Sequence, residues 1–156
     1  MDLLAVEKLS LNFKTLEEFK RFKKYGLQEL SMIEDLQADI VENKSDSPFY
    51  GIYYGDTLIA RMCLDNVQAK YDSVFNSPQD GLEICKLEVL KDYQGLGYGR
   101  MLVEFAKSFQ MPIRTIPRVN STDFWNKMGF EYVSHNGINY FVWEPQHVQP
   151  SSITVQ

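Results

Sequence analysis

Two hydrophobic rhythms alternate along the chain. "AVEKLSLNF" alternates with the period of a strand, and "KTLEEFKRFKKYG" then places Glu18 three residues after Thr15, a capping-box pattern, with Gly26 as the stop. "LQELSMIEDLQADIVEN" sets Leu27, Leu30, Ile33, Leu36, Ile40 and Val41 at helical spacing, with Glu29, Glu34, Asp35 and Asp39 turned outward. "FYGIYYGDTLIARMCL" holds two β-rich runs around Gly55-Asp56, the signature of a hairpin. After the polar connection "DNVQAKYDSVFNSPQDG" come the strand "LEICKLEVL", a glycine loop, a helix from about Gly97 to Phe109 and the short strand "PIRTI". "STDFWNKMG" reads as a helix, and "FEYVS" with "NYFVW" as a hairpin around His135-Asn136-Gly137. The predicted order is β, α, α, β, β, β, α, β, α, β, β, an α/β or α+β sheet with helices on its faces. No repeat or linker divides it, so residues 1–143 are expected to form one domain and residues 144–156, polar with two prolines among them, a loose tail.

Composition narrows the class. A chain of 156 residues, 44% hydrophobic and 13% aromatic, can bury a core without disulfides or metals. No run approaches the roughly 20 apolar residues that span a bilayer, so no membrane partner is expected. Asp2 and Glu7 near the start do not make a secretory signal, and the expected location is the cytoplasm. Cys63 and Cys85 form no C-x-x-C pair and suit two buried thiols, so neither zinc nor a redox pair is expected. A net charge of -5 argues against nucleic acid as a partner, because phosphate backbones draw on clustered Lys and Arg. His135 falls in a turn and His147 in the tail, with no metal-ligand spacing.

The loop "DYQGLGYGR" carries three of the nine glycines, Gly95, Gly97 and Gly99, between a strand and a helix. Glycine there lets backbone N–H groups approach a phosphate closely. A Walker loop needs lysine and a hydroxyl after its last glycine, where this chain has Arg100 and Met101. A dinucleotide fingerprint needs glycine at position 100 and an early βαβ unit, and both are lacking. A third pattern, Q/R-x-x-G-x-G/A, is matched throughout by Gln94-Gly95-Leu96-Gly97-Tyr98-Gly99.

That loop resembles the acyl-CoA-binding loop of the GNAT superfamily of N-acyltransferases, and "SxxFWNKMGF" resembles the superfamily's "AxxFYxKxGF" block. The likeness is strongest over residues 81–130. Through "SPFYGIYYGD", "KLEVL", "GYGRMLVEFAKSF" and "MPIRT" the chain is similar to the YlbP branch of bacterial members. The resemblance implies an open, mixed, mostly antiparallel sheet of six to seven strands with about four helices, splayed at its central strands. It also implies an acetyl-CoA-dependent N-acetyltransferase that acylates a primary amine directly, with acetyl-CoA as co-substrate, no metal and, since members often pair, room for a homodimer. A non-catalytic acyl-CoA-binding regulatory module is the alternative.

By the same resemblance, Leu87, Glu88 and Val89 present backbone groups to the pantetheine arm and the thioester, whose developing oxygen charge a fixed donor stabilises. Gln94, Gly95, Leu96, Gly97, Tyr98, Gly99 and Arg100 take the pyrophosphate. Glu83, eleven residues before Gln94, stands where the histone-acetylating branch keeps its glutamate and is the candidate general base. Strand alternation would put Glu83 and Leu87 on one face and Glu88 on the other. Trp125 occupies the cofactor-facing place of the superfamily's acidic tyrosine, and indole cannot donate that proton. Tyr93, Tyr98, Ser121 and Thr122 are substitutes. Arg118 stands in the place of a superfamily asparagine, with Asn120 two residues away.

Overall fold

Asn12, not the Thr15–Glu18 pair, starts the first helix in the computed structural model, which describes residues 4–25, 29–42, 46–71, 74–118 and 120–145. Asn12 is extended, and its side chain accepts the Thr15 N–H at 2.9 Å, so helix α1 (Phe13–Phe19) is capped one turn ahead of the expected box. Thr15 is buried, and Glu18 reaches across to accept the Leu58 N–H at 3.0 Å. Both residues of the expected box serve packing instead. The chain tightens into a 3-10 turn at Lys20–Tyr25, and α2 follows at Glu29–Val41.

The phase of α2 differs from the expected stripe at one end. Met32, Ile33 and Leu36 are buried, but Asp39 is only 8% exposed whereas Val41 is 84% exposed. A stripe at 3.6-residue spacing centred on Met32 and Leu36 brings position 39 inward and carries 41 away. Gly26, Leu27, the side chain of Leu30, His147 and the tail beyond residue 145 lie outside the described residues.

Strands β1 (Val6–Lys8), β2 (Phe49–Tyr54), β3 (Thr57–Val67), β4 (Gly81–Val89), β5 (Ile113–Thr115), β6 (Glu131–His135) and β7 (Ile138–Trp143) form one sheet in the order β1-β2-β3-β4-β5-β7-β6. Among the described residues, seven strands and four helices in the predicted sequence of elements make the open, mostly antiparallel arrangement expected. Gly55 and the pair Asn136-Gly137 turn the two hairpins at positive φ. Among the described residues only β4 and β5 run parallel, and they pair at Leu82↔Ile113 and Glu83↔Arg114. The Thr115 hydroxyl then donates to the Ile84 carbonyl at 2.8 Å, and beyond it β4 continues to Val89 without β5. This is the splay.

Helices α3 (Tyr98–Lys107) and α4 (Thr122–Lys127) cover one face, where Leu102, Val103, Ala106 and Trp125 pack on Met62, Leu82 and Ile84. On the other face α1, the 3-10 turn and α2 bring Phe19, Phe22, Met32 and Leu36 against Phe49, Leu58 and Cys63. Each large side chain so buried contributes about 1.5–3 kcal/mol.

Strand β4 carries a bulge that changes its parity. Cys63 pairs with Lys86 but Leu64 pairs with Ile84, which leaves Cys85 as an extra residue. Glu83 lies opposite Asp65, and Glu88 opposite Arg61, so the two glutamates share the face turned to α1 and α2, while Leu87 lies on the α3 face opposite Met62. The simple alternation expected from the sequence is overturned by that one residue.

Candidate functional site

The end of β4 leads through Leu90 and a 3-10 turn at Lys91–Tyr93 into the glycine loop, and thence into α3. Gly95 and Gly97 hold φ of +77° and +95°, and a Cβ built on either would meet nothing within 4 Å. Both are therefore required for conformation, and both face open space. Gly99 has another reason: a Cβ there would stand 3.2 Å from the Phe124 ring, so glycine lets α3 and α4 approach closely. The Gln94 side chain braces the loop by donating to the Val89 carbonyl at 2.9 Å.

The first amide of α3 to find a carbonyl is that of Met101, bonded to Gly97 at 3.0 Å. Among the described residues, the N–H groups of Gly95, Leu96, Gly97, Tyr98, Gly99 and Arg100 have no protein acceptor. Gly97 occupies the N-cap and offers no side chain, so these donors and the positive end of α3 converge outward.

They open onto a cleft of about 590 Å³ that runs down the splay. Leu87 and Val89 form its floor; Tyr93, Tyr98, Ser121 and Phe124 stand on its walls. Among the described residues the lining also includes Arg100, Arg118 and Lys127 and no carboxylate; Lys86 borders the cleft too, but its place opposite Cys63 turns its side chain to the α1 and α2 face. A chain of net charge -5 thus turns a purely cationic cleft toward its glycine loop. Overall composition concealed that clustering.

The expected site residues fall into two groups. Leu87, Val89, Gln94, Gly95, Gly97, Tyr98, Gly99, Arg100 and Trp125 line the cleft, with Leu96 exposed at the loop tip. Trp125 is only 5% exposed and packs edge-on against Phe124 and Phe130, so most of its ring is core. Of the substitute acids, Tyr93, Tyr98 and Ser121 line the cleft and Thr122 does not; the Ser121 hydroxyl donates to the Arg118 carbonyl at 2.7 Å. Glu83 and Glu88 lie outside the lining. Glu83 accepts from Arg114 Nε at 2.7 Å. Glu88 is buried and receives Arg61 Nη2 at 2.7 Å, whose guanidinium lies over the Phe19 and Phe22 rings at 4.8 and 4.3 Å. Removing either partner of such a buried pair costs about 3–5 kcal/mol, which gives the Glu88 side chain a structural role.

Arg118 is the residue whose importance the sequence did not convey. Its Nη1 lies 3.5 Å from Glu88 Oε2, and its Nη2 is buried without a hydrogen-bond partner among the described residues. A buried donor left unpaired costs about 1–3 kcal/mol. The open amides and the cationic lining fit a phosphorylated carrier such as coenzyme A.

Comparison with known proteins agrees. The model of the Acetyltransferase (GNAT) family matches residues 13–130, and the chain belongs to that family. It is 57% identical over 155 residues to an "uncharacterized N-acetyltransferase" of Bacillus pumilus, covering 96% of this chain and 98% of that one. It is 59% identical over 148 residues to the N-acetyltransferase YlbP of Bacillus subtilis, covering 92% of each. The crystal structure of Bacillus subtilis YlbP in complex with coenzyme A superposes with a TM-score of 0.77, covering 92% of this chain and 97% of that chain at 57% identity. PH1933 from Pyrococcus horikoshii, 21% identical, shares the fold with a TM-score of 0.64 over 94% of this chain and 100% of its own.

Proposed function

We propose that the protein transfers an acetyl group from acetyl-CoA directly to a primary amine in the cytoplasm. The observation that carries this reading is the run of unpartnered amides from Gly95 to Arg100 at the mouth of a cationic cleft. Those amides and Arg100 bind the diphosphate, and the β4 backbone from Leu87 to Val89 aligns the pantetheine arm along the splay. Arg118 Nη2 gives its hydrogen bond to a ligand oxygen in the cleft. The crystallised relative's complex with coenzyme A supports the same donor.

Bound acetyl-CoA supplies an activated thioester. The C–N bond forms as the C–S bond breaks; the amine gives its proton to a base, and the departing thiolate takes one from water or a cleft hydroxyl. Glu83 is the proposed base, and its contact with Arg114 fixes the carboxylate beside Asp65 on the side of the sheet away from α3. Tyr93, Tyr98 and Ser121 are the hydroxyls available to the leaving sulfur, since Trp125 has no acidic proton to offer.

Calorimetry with acetyl-CoA tests the binding claim, and a lack of saturable binding from the micromolar to the millimolar range contradicts it. Free-thiol detection across a panel of primary amines then separates an enzyme from a non-catalytic coenzyme-binding module, which would bind acetyl-CoA and release no thiol. Sedimentation of the purified chain decides between monomer and homodimer.

A further inference from the structure

Cys63 and Cys85 lie 22 residues apart in the sequence, a spacing that suggests no shared site. The fold brings them together. Cys63 and Asp65 are two residues apart on β3 and point to one face, and the bulge in β4 delivers Cys85 to the same place. Both cysteines pack against the cluster formed under α1 and α2. The Cys85 thiol donates to Asp65 Oδ2 at 2.8 Å, and one donor atom from each of Cys63, Asp65 and Cys85 lies within 4.8 Å of the other two.

We propose that Cys63, Asp65 and Cys85 form a binding site for a soft divalent cation, with zinc as its natural fit and water as the fourth ligand. Tetrahedral zinc, with bonds of ~2.3 Å to sulfur and ~2.1 Å to oxygen, places its sulfurs about 3.8 Å apart and sulfur about 3.6 Å from oxygen. The three donors are already within reach of those separations, held by two neighbouring strands hydrogen-bonded to each other. Two thiolates with one carboxylate select zinc-like metals over magnesium or calcium, which take oxygen. Cys63 is buried and Cys85 half-buried, while Asp65 is exposed and gives the ion a way in.

Without a cation, the Cys85 S–H proton lies between its sulfur and the Asp65 carboxylate. On binding, each thiol releases its proton to solvent as its sulfur–zinc bond forms, and no electrons change hands.

The test uses the full chain, reduced with a phosphine, and is independent of acetyl transfer. Titration with Zn2+ against a chromophoric chelator is expected to show one tightly bound ion per chain. Co2+ in its place is expected to give thiolate-to-metal charge-transfer absorption with the spectrum of a tetrahedral site. Cys63→Ala should abolish that absorption and weaken Zn2+ binding by at least ~100-fold, beyond the ~10–100-fold cost of a change outside the ligand set. Coenzyme A binding by Cys63→Ala should be unchanged. Asp65→Asn, at an exposed position, supplies the test if the cysteine variant fails to fold, with a loss of at least ~10-fold expected. Sub-stoichiometric Zn2+, a cobalt spectrum without thiolate absorption, or equal affinity in both variants overturns the proposal. So does a mass two hydrogens short in unreduced protein with no metal uptake after reduction, which would make the pair a disulfide.

Discussion

The starts of α1 and α3 solve the same physical problem in opposite ways. Every helix begins with backbone donors that have no intrahelical acceptor. At α1 the chain closes its own account: the Asn12 side chain takes the Thr15 amide at 2.9 Å, and the Asn12 carbonyl takes the Leu16 amide. At α3 the N-cap is Gly97, without a side chain, and six consecutive amides from Gly95 remain open. Glycine is a poorer helix start than asparagine, so α3 gives up some stability for a seat that only a ligand completes. A capped helix start points to architecture; an uncapped one at the mouth of a cationic cleft points to binding.

Breaking the α3 start should have the largest effect. Gly97→Val forces a β-branched residue to φ near +95° and shuts the loop. Losing two charge-assisted hydrogen bonds at about 2 kcal/mol each should weaken coenzyme A binding ~1000-fold in calorimetry, with the circular dichroism spectrum retained. Glu83→Gln separates binding from chemistry: turnover should fall about a hundredfold, toward the lower end of general-base effects, while the Kd for acetyl-CoA holds. Arg118→Gln removes the orphaned donor and should weaken coenzyme binding ~10-fold by the same measurement. Asn12→Ala completes the comparison at the other helix: about 1 kcal/mol of stability lost in urea denaturation, and no change in coenzyme binding.

The sequence displayed the order of elements, because long amphipathic stretches and the Gly55 and Asn136-Gly137 turns are local signals. The glycine loop was equally legible, since a positive φ beside a helix start demands that residue type at that spacing. What was hidden depends on the third dimension. A rival cap at Asn12 displaced the Thr15–Glu18 box, because both were sound local choices and packing decided between them. The bulge at Cys85 leaves no mark in the residue pattern, yet it brings Glu83 to the face of Glu88 and gathers two distant thiols around Asp65. The positive lining of the cleft comes from α3, α4 and the segment after β5, so no window of sequence revealed it.

The most direct test is the 15N–1H spectrum of the full chain, read at the amides of Gly95, Gly97, Gly99 and Arg100. Adding coenzyme A, or its nucleoside diphosphate half alone, should move those signals strongly downfield, while pantetheine without phosphate leaves them in place. Unmoved loop amides in a protein saturated with coenzyme A would contradict the account.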